Sequence, residues 1–226
     1  MKPLTDKHLS ILRRHMVEMI AVHTELLEDE LGKPSLDEKV LAAMQRVPRH
    51  LFVPQQLATF AYQDIPLPIG FDKTISQPFI CALMTDLLSP GHGEVVLEIG
   101  TGLGYQTAVL AELASRVWTV EIVEEFSSHA EVLLRQLGYS NIGFRVGDGS
   151  RGWIEHGPYD KIMLTAAPER VPPTLVEQLK PGGRMVLPVG PADDQWLTVI
   201  DKDAVGKVHA CEVMSVSFSS LETIIR

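Results

Sequence analysis

Apolar residues recur at three- and four-residue intervals from Leu9 through Leu12, Met16, Met19 and Ile20 to Leu27, the spacing of one buried stripe on a helix. A second helix is expected over SLDEKVLAAMQRV, with Ser35 and Glu38 as a capping box and Pro48 marking its far end. The next stretch, VPRHLFVPQQLATFAYQDIPLPIGFDKTISQP, is proline-rich and aperiodic yet too apolar for a linker. It reads as an ordered loop region packed on the main body. FICALMTDLL resumes a helical pattern, with Ser76 placed as its N-cap and Pro78 in the first turn. From Val95 onward, apolar runs alternate with helical ones: VVLEI, RVWTVE, IGFRVGDG, DKIMLTAA and GGRMVLPVG as strands, EFSSHAEVLLRQLG and VPPTLVEQLK as helices. Runs with almost no polar interruption suit parallel strands covered on both faces. Gln195 to Phe218 reads as further strands. The pattern predicts an α/β fold: a doubly wound sheet with helices on both faces and an N-terminal helical extension.

Composition narrows the chemistry. The 226 residues, 45% of them hydrophobic, suffice for one core, so a single domain over 1–226 is expected. Within it, 1–50 forms the N-terminal helices, 51–92 the loop region and TISQP helix, and 93–226 the sheet-bearing core. No apolar run nears transmembrane length, and MKPLTDKHLSILRRH lacks the apolar centre of a signal peptide. A cytoplasmic protein without a membrane partner is the expectation. Cys81 and Cys211 lie in apolar segments and read as reduced core thiols. The eight histidines lack ligand spacing, so no metal is expected. A formal net charge of −9 counts against a nucleic-acid partner.

The candidate chemistry begins at Glu98, which precedes glycines at alternate positions, Gly100, Gly102 and Gly104, between a strand and a helix. A dinucleotide fingerprint would space them G-x-G-x-x-G. The G-x-G-x-G spacing resembles motif I of S-adenosylmethionine (AdoMet) methyltransferases, although a plain turn between strand and helix would look the same. AdoMet carries no phosphate, but its amino-acid carboxylate suits the exposed N–H groups of such a turn. Glu98 is a candidate acceptor for its ammonium group, through water or backbone. Glu121 ends the next strand, about 20 residues on, where a carboxylate can accept both ribose hydroxyls. Asp148 ends a third strand, able to accept the adenine amino proton, beside Gly149, which leaves room for the ring.

VLAAMQRVPRHLFVP, the LPIG and TISQP blocks, LEIGTGLGYQTAVLA, VGDG, YDKIMLTAAP and LKPGGRMVLPVG follow in unbroken order from Val40 to Gly190. Together they resemble the protein-L-isoaspartate O-methyltransferase family. The resemblance implies a Rossmann-like methyltransferase fold and AdoMet as cofactor, bound by Glu98, Gly100, Thr101, Gly102, Gly104, Glu121, Asp148 and Gly149. It implies Ser76 as the active-site serine, with Thr74 and Ile75 lining the same substrate cleft. From spacing alone, helix capping competes for Ser76. The implied partners are isoaspartyl-containing peptides and proteins, met by a monomer, and the implied reaction esterifies their free α-carboxylate. Two segments depart from the family pattern: the acidic LLEDELGKP insertion between Met16 and Val40, and FSSLE at Phe218–Glu222. Both border the peptide cleft in the family fold. Other readings are a carboxyl or hydroxyl methyltransferase acting on another peptide or a small acid, and an AdoMet-binding module without catalysis. DNA amino-methylation is disfavoured, because the strand at Thr165–Pro168 ends in TAAP.

Overall fold

The computed structural model describes residues 5–224; residues 1–4 of the predicted extension and 225–226 at the other end of the predicted domain lie outside the described residues. Helix α1 (Asp6–Leu26) opens on a reciprocal cap, in which the Thr5 hydroxyl accepts the His8 N–H and the His8 ring accepts the Thr5 N–H. Met16 and Ile20 are buried in its stripe, whereas Met19, expected beside them, is about two-fifths exposed. Neighbouring positions point about 100° apart on a helix, so Ile20 and Met19 cannot share the inward face. After α2 (Glu28–Leu31) comes α3 (Glu38–Arg46). Its cap is Asp37, not the predicted pair of Ser35 and Glu38: the Asp37 carboxylate accepts the Lys39 N–H at 2.9 Å. Buried Asp86 holds the Asp37 N–H at 2.6 Å and so fixes the helix start two residues beyond the serine.

The aperiodic stretch contains two short 3-10 turns, Arg49–Phe52 and Gln55–Leu57, and an antiparallel hairpin of β1 (Leu67–Gly70) and β2 (Lys73–Ile75). Helix α4 (Pro78–Leu88) follows. Ser76 does not cap it. Gln77 occupies that position with no side-chain capping bond, and the Phe79 N–H is taken instead by Asp64 Oδ1 at 2.8 Å.

The remaining elements are β3 (Val95–Ile99), α5 (Tyr105–Ala111), β4 (Arg116–Glu121), α6 (Glu124–Gln136), β5 (Ile142–Val146) and β6 (Tyr159–Leu164). They end with α7 (Pro173–Gln178), β7 (Leu179–Val189), β8 (Gln195–Lys202) and β9 (Val208–Val216). The main sheet runs β5-β4-β3-β6-β7-β8-β9. Its first five strands are parallel, and β8 and β9 join antiparallel. Alternation along the strands divides two cores. Val96, Val117, Met163 and Val186 pack with α1 and α3 to α6 on one face. Leu97, Ile99, Val120, Ile162 and Leu164 pack with Leu175 of α7 on the other. Helices thus cover both faces of the parallel part, as the pattern predicts. Cys81 is a core thiol, and burial pushes it up to about 11, which leaves it protonated and inert. Cys211 is not: it lies exposed on β9, the edge strand, whose first five residues are all exposed. Strand order reverses between β3 and β6, and a crevice opens there at the carboxyl ends of the strands.

Candidate active site

The crevice holds a cavity of about 870 Å³, out to its open mouth, beneath the β1–β2 hairpin. Gly100, Thr101 and Gly102 line it from the turn after β3, Glu121 from the end of β4, Gly149 after β5, and Thr74, Ile75 and Ser76 from the hairpin. Gly100 has φ +97, and a Cβ there would meet the Thr165 hydroxyl at 2.4 Å; only glycine fits. That hydroxyl donates to the Gly100 carbonyl at 2.6 Å, tying the turn to β6.

Glu121 is oriented by three backbone donors. Gly102 N–H reaches its Oε2 at 2.8 Å, and Ile122 and Val123 N–H reach Oε1 at 2.9 and 3.0 Å. An ionised carboxylate has about four acceptor positions, so the group stays aimed into the cavity with acceptor capacity left for a ligand.

Three residues expected to hold the cofactor do not line the cavity. Glu98 is fully buried and faces the first core, because it alternates with Leu97 and Ile99 along β3. Its Oε2 accepts the hydroxyls of Thr107 and Thr119 at 2.5 and 2.6 Å, and its Oε1 has no partner. Burial pushes this carboxyl up to about 8, against those two hydroxyl donors, with the Glu121 charge adding to the rise. Thr119 also meets Thr101 at 2.6 Å, so Glu98 supports the turn from below. Gly104 sits at the start of α5, where a Cβ would meet Leu134 of α6 at 2.9 Å. Its glycine serves helix packing. Asp148 accepts from the Ser150 N–H and hydroxyl at 3.0 and 2.6 Å and from the Ile224 N–H at 3.1 Å. Burial raises its carboxyl, but these bonds and nearby Arg151 outweigh that and hold it below the usual carboxylate range.

A second cavity, about 1480 Å³ out to its open mouth, adjoins the first. His23 of α1, Leu27 just after it, Gln77, Phe79, Asp193, Gln195 and Met214 to Ser219 line it. Thr74, Ser76, Thr165 and Ser219 border both spaces. All four are hydroxyl residues. The bonds of Ser76 run through its carbonyl, to Arg49 at 2.6 Å and to the Cys81 thiol at 3.7 Å. The FSSLE segment supplies Ser219 to both cavities and Leu221 and Glu222 to the first. It is tethered by the Leu221 and Ala167 N–H bonds to β6's exit and by a Lys73–Glu222 ion pair to the hairpin. Asp64 and Arg49 carried no local signal in the sequence, since the partner of each comes from another segment.

The family described as protein-L-isoaspartate(D-aspartate) O-methyltransferase matches residues 21–223. Among curated relatives, protein-L-isoaspartate O-methyltransferase 1 of Polaromonas sp. is 51% identical over 219 residues, covering 97% of this chain and 93% of its own. The second such enzyme of Syntrophobacter fumaroxidans is 47% identical over 217 residues, covering 96% and 88%. Among solved structures, a protein-L-isoaspartate O-methyltransferase is 27% identical with a TM-score of 0.79, over 92% of this chain and 65% of that one. A Plasmodium falciparum structure in complex with S-adenosyl-L-homocysteine is 20% identical with a TM-score of 0.76, over 94% and 99%, and speaks for the fold alone. With a family match across most of its length and relatives near half identity, the chain belongs to the protein-L-isoaspartate(D-aspartate) O-methyltransferase family.

Proposed function

We propose that the wall shared by the two cavities is where this chain performs its family's reaction, with Ser76 as the residue that receives the substrate. The chain is a protein-repair methyltransferase acting on the free α-carboxylate of L-isoaspartyl residues, with AdoMet as methyl donor. Bound in the first cavity, AdoMet supplies an electrophilic sulfonium methyl. The cavity suits it: glycines allow close approach, Glu121 offers a fixed acceptor, and Ile122 and Phe126 add apolar wall. Gly100, Thr101, Gly102, Glu121 and Gly149 would hold it directly, with Glu98 and Gly104 shaping the turn and Asp148 turning toward the adenine end.

The shared hydroxyl wall is the observation that carries this reading. An isoaspartyl carboxylate is ionised at neutral pH, so no general base is needed; orientation and exclusion of water suffice. The Thr74, Ser76 and Ser219 hydroxyls at the junction can donate to a carboxylate without removing its charge, the Thr165 proton being held by the Gly100 carbonyl. Ser76 does so as a donor, with Thr74 and Ile75 beside it. A backbone amide nitrogen then attacks the methyl ester spontaneously and expels methanol, giving a succinimide whose hydrolysis by water returns some normal aspartate.

The working unit is the monomer, since one chain lines both cavities. The net charge of −9 speaks against nucleic acid. Among the described residues no helix is long and apolar enough to cross a membrane. Cytoplasmic residence accords with two free cysteines, one of them exposed. The test is transfer of labelled methyl from AdoMet to matched isoaspartyl and aspartyl peptides. Label on the isoaspartyl peptide alone is expected; label only on a small acid would move the chain to another carboxyl substrate.

A further inference from the structure

We infer that Arg49 is a positioning residue for the substrate carboxylate, acting from the layer behind Ser76; this deepens the reading above and rests on it. Arg49 is fully buried. Its Nε donates to the Ala61 carbonyl at 2.8 Å and its Nη2 to the Ser76 carbonyl at 2.6 Å. The guanidinium carbon lies 4.7 Å from the centre of the Tyr105 ring. Its Nη1 has no partner. Among the described residues no carboxylate lies within 4.0 Å of it, and both its acceptors are neutral carbonyls.

A buried cation without a counter-ion is costly, and an arginine does not shed its proton to escape that cost. The charge is offset if an anion arrives with the ligand. Ser76 and Tyr105, both in contact with the guanidinium, line the first cavity, and Ser76 lines the second as well. One residue of wall therefore separates the cation from the junction. AdoMet's amino-acid end carries a carboxylate and an ammonium together, so a fixed positive charge gains little from it. The isoaspartyl carboxylate is a lone anion, and at short range in a partly dry site the attraction is large. The bonds do a second job: with the guanidinium anchored on the Ala61 carbonyl, its bond to the Ser76 carbonyl fixes the backbone that carries the Ser76 hydroxyl.

The test uses matched peptides carrying either the isoaspartyl α-carboxylate or its neutral α-carboxamide, the latter as a competitive inhibitor. The parent enzyme should prefer the carboxylate. Arg49→Met should reduce that preference about tenfold while S-adenosylhomocysteine affinity, read by calorimetry, stays within about twofold. Arg49→Lys should keep most of the preference yet lose kcat, because an ammonium cannot span both carbonyls. Arg49→Met that binds S-adenosylhomocysteine normally and retains the parent's preference overturns the proposal. So does Arg49→Lys that loses the preference as fully as Arg49→Met. Should Arg49→Met fail to fold, Arg49→Lys decides alone: preference kept with lower kcat supports the role, and preference lost overturns it. A parent that methylates no isoaspartyl peptide overturns the functional reading itself.

Discussion

A substitution at Ser76 tests chemistry alone, because the Phe79 N–H at the start of α4 donates to Asp64 and not to Ser76. Ser76→Ala removes a hydroxyl that caps nothing, so the thermal midpoint should hold while kcat falls. Ser76→Asp sets a negative charge against the incoming carboxylate. It should abolish methyl transfer with S-adenosylhomocysteine binding close to the parent's. An aspartate variant as active as the parent would remove Ser76 from the reaction. The positions legible from sequence here are those whose role is local: Gly100 and Gly102 in a strand-to-helix turn, Glu121 at a strand end. Arg49 and Asp64 are the opposite case. Both sit in an aperiodic stretch, and what gives each its role is a partner that arrives from 15 or more residues away, the Phe79 N–H for Asp64 and the Ser76 carbonyl for Arg49.

At the scale of elements, Asp64 ties three pieces together. It accepts the Phe79 N–H at the start of α4, the Gln77 side chain at 3.0 Å and the His23 ring of α1 at 2.6 Å. Asp64→Ala leaves the first turn of α4 without its acceptor and should cost about 1–2 kcal/mol, read from urea denaturation. Asp64→Asn keeps an acceptor oxygen and should recover part of the loss; equal cost for the two would assign the effect to the His23 contact. The helices and parallel strands were readable because their burial follows period 3.6 or a continuous apolar run. The β1–β2 hairpin was not. Its strands are four and three residues long, too short for alternation to show. Cap assignment failed at Ser35 and Ser76 for a related reason: a serine before a helix is a local sign, and acids distant in sequence, Asp86 and Asp64, moved both helix starts.

At the scale of the whole molecule, stability carries the signature of Glu98. Its carboxyl rises from an ordinary value near 4.5 to about 8 through burial. The folded state therefore keeps a proton that the unfolded chain releases. This contribution is fully present below about pH 4.5 and is lost as pH rises through about 8. Glu98→Gln should remove that slope, up to about 1.4 kcal/mol per pH unit between those limits. Urea midpoints at intervals from pH 5.5 to 8 should fall for the parent relative to the variant as pH rises; parallel curves would mean that Glu98 does not titrate there. The shared hydroxyl wall has a consequence for descent as well as for chemistry. One side of it is built from the β3 turn and β4, the other from α1, the start of β8 and the end of β9. Drift in the outer set can retune which damaged chains are admitted, while the methyl source stays as it is. Such an enzyme can change its clientele without relearning its reaction.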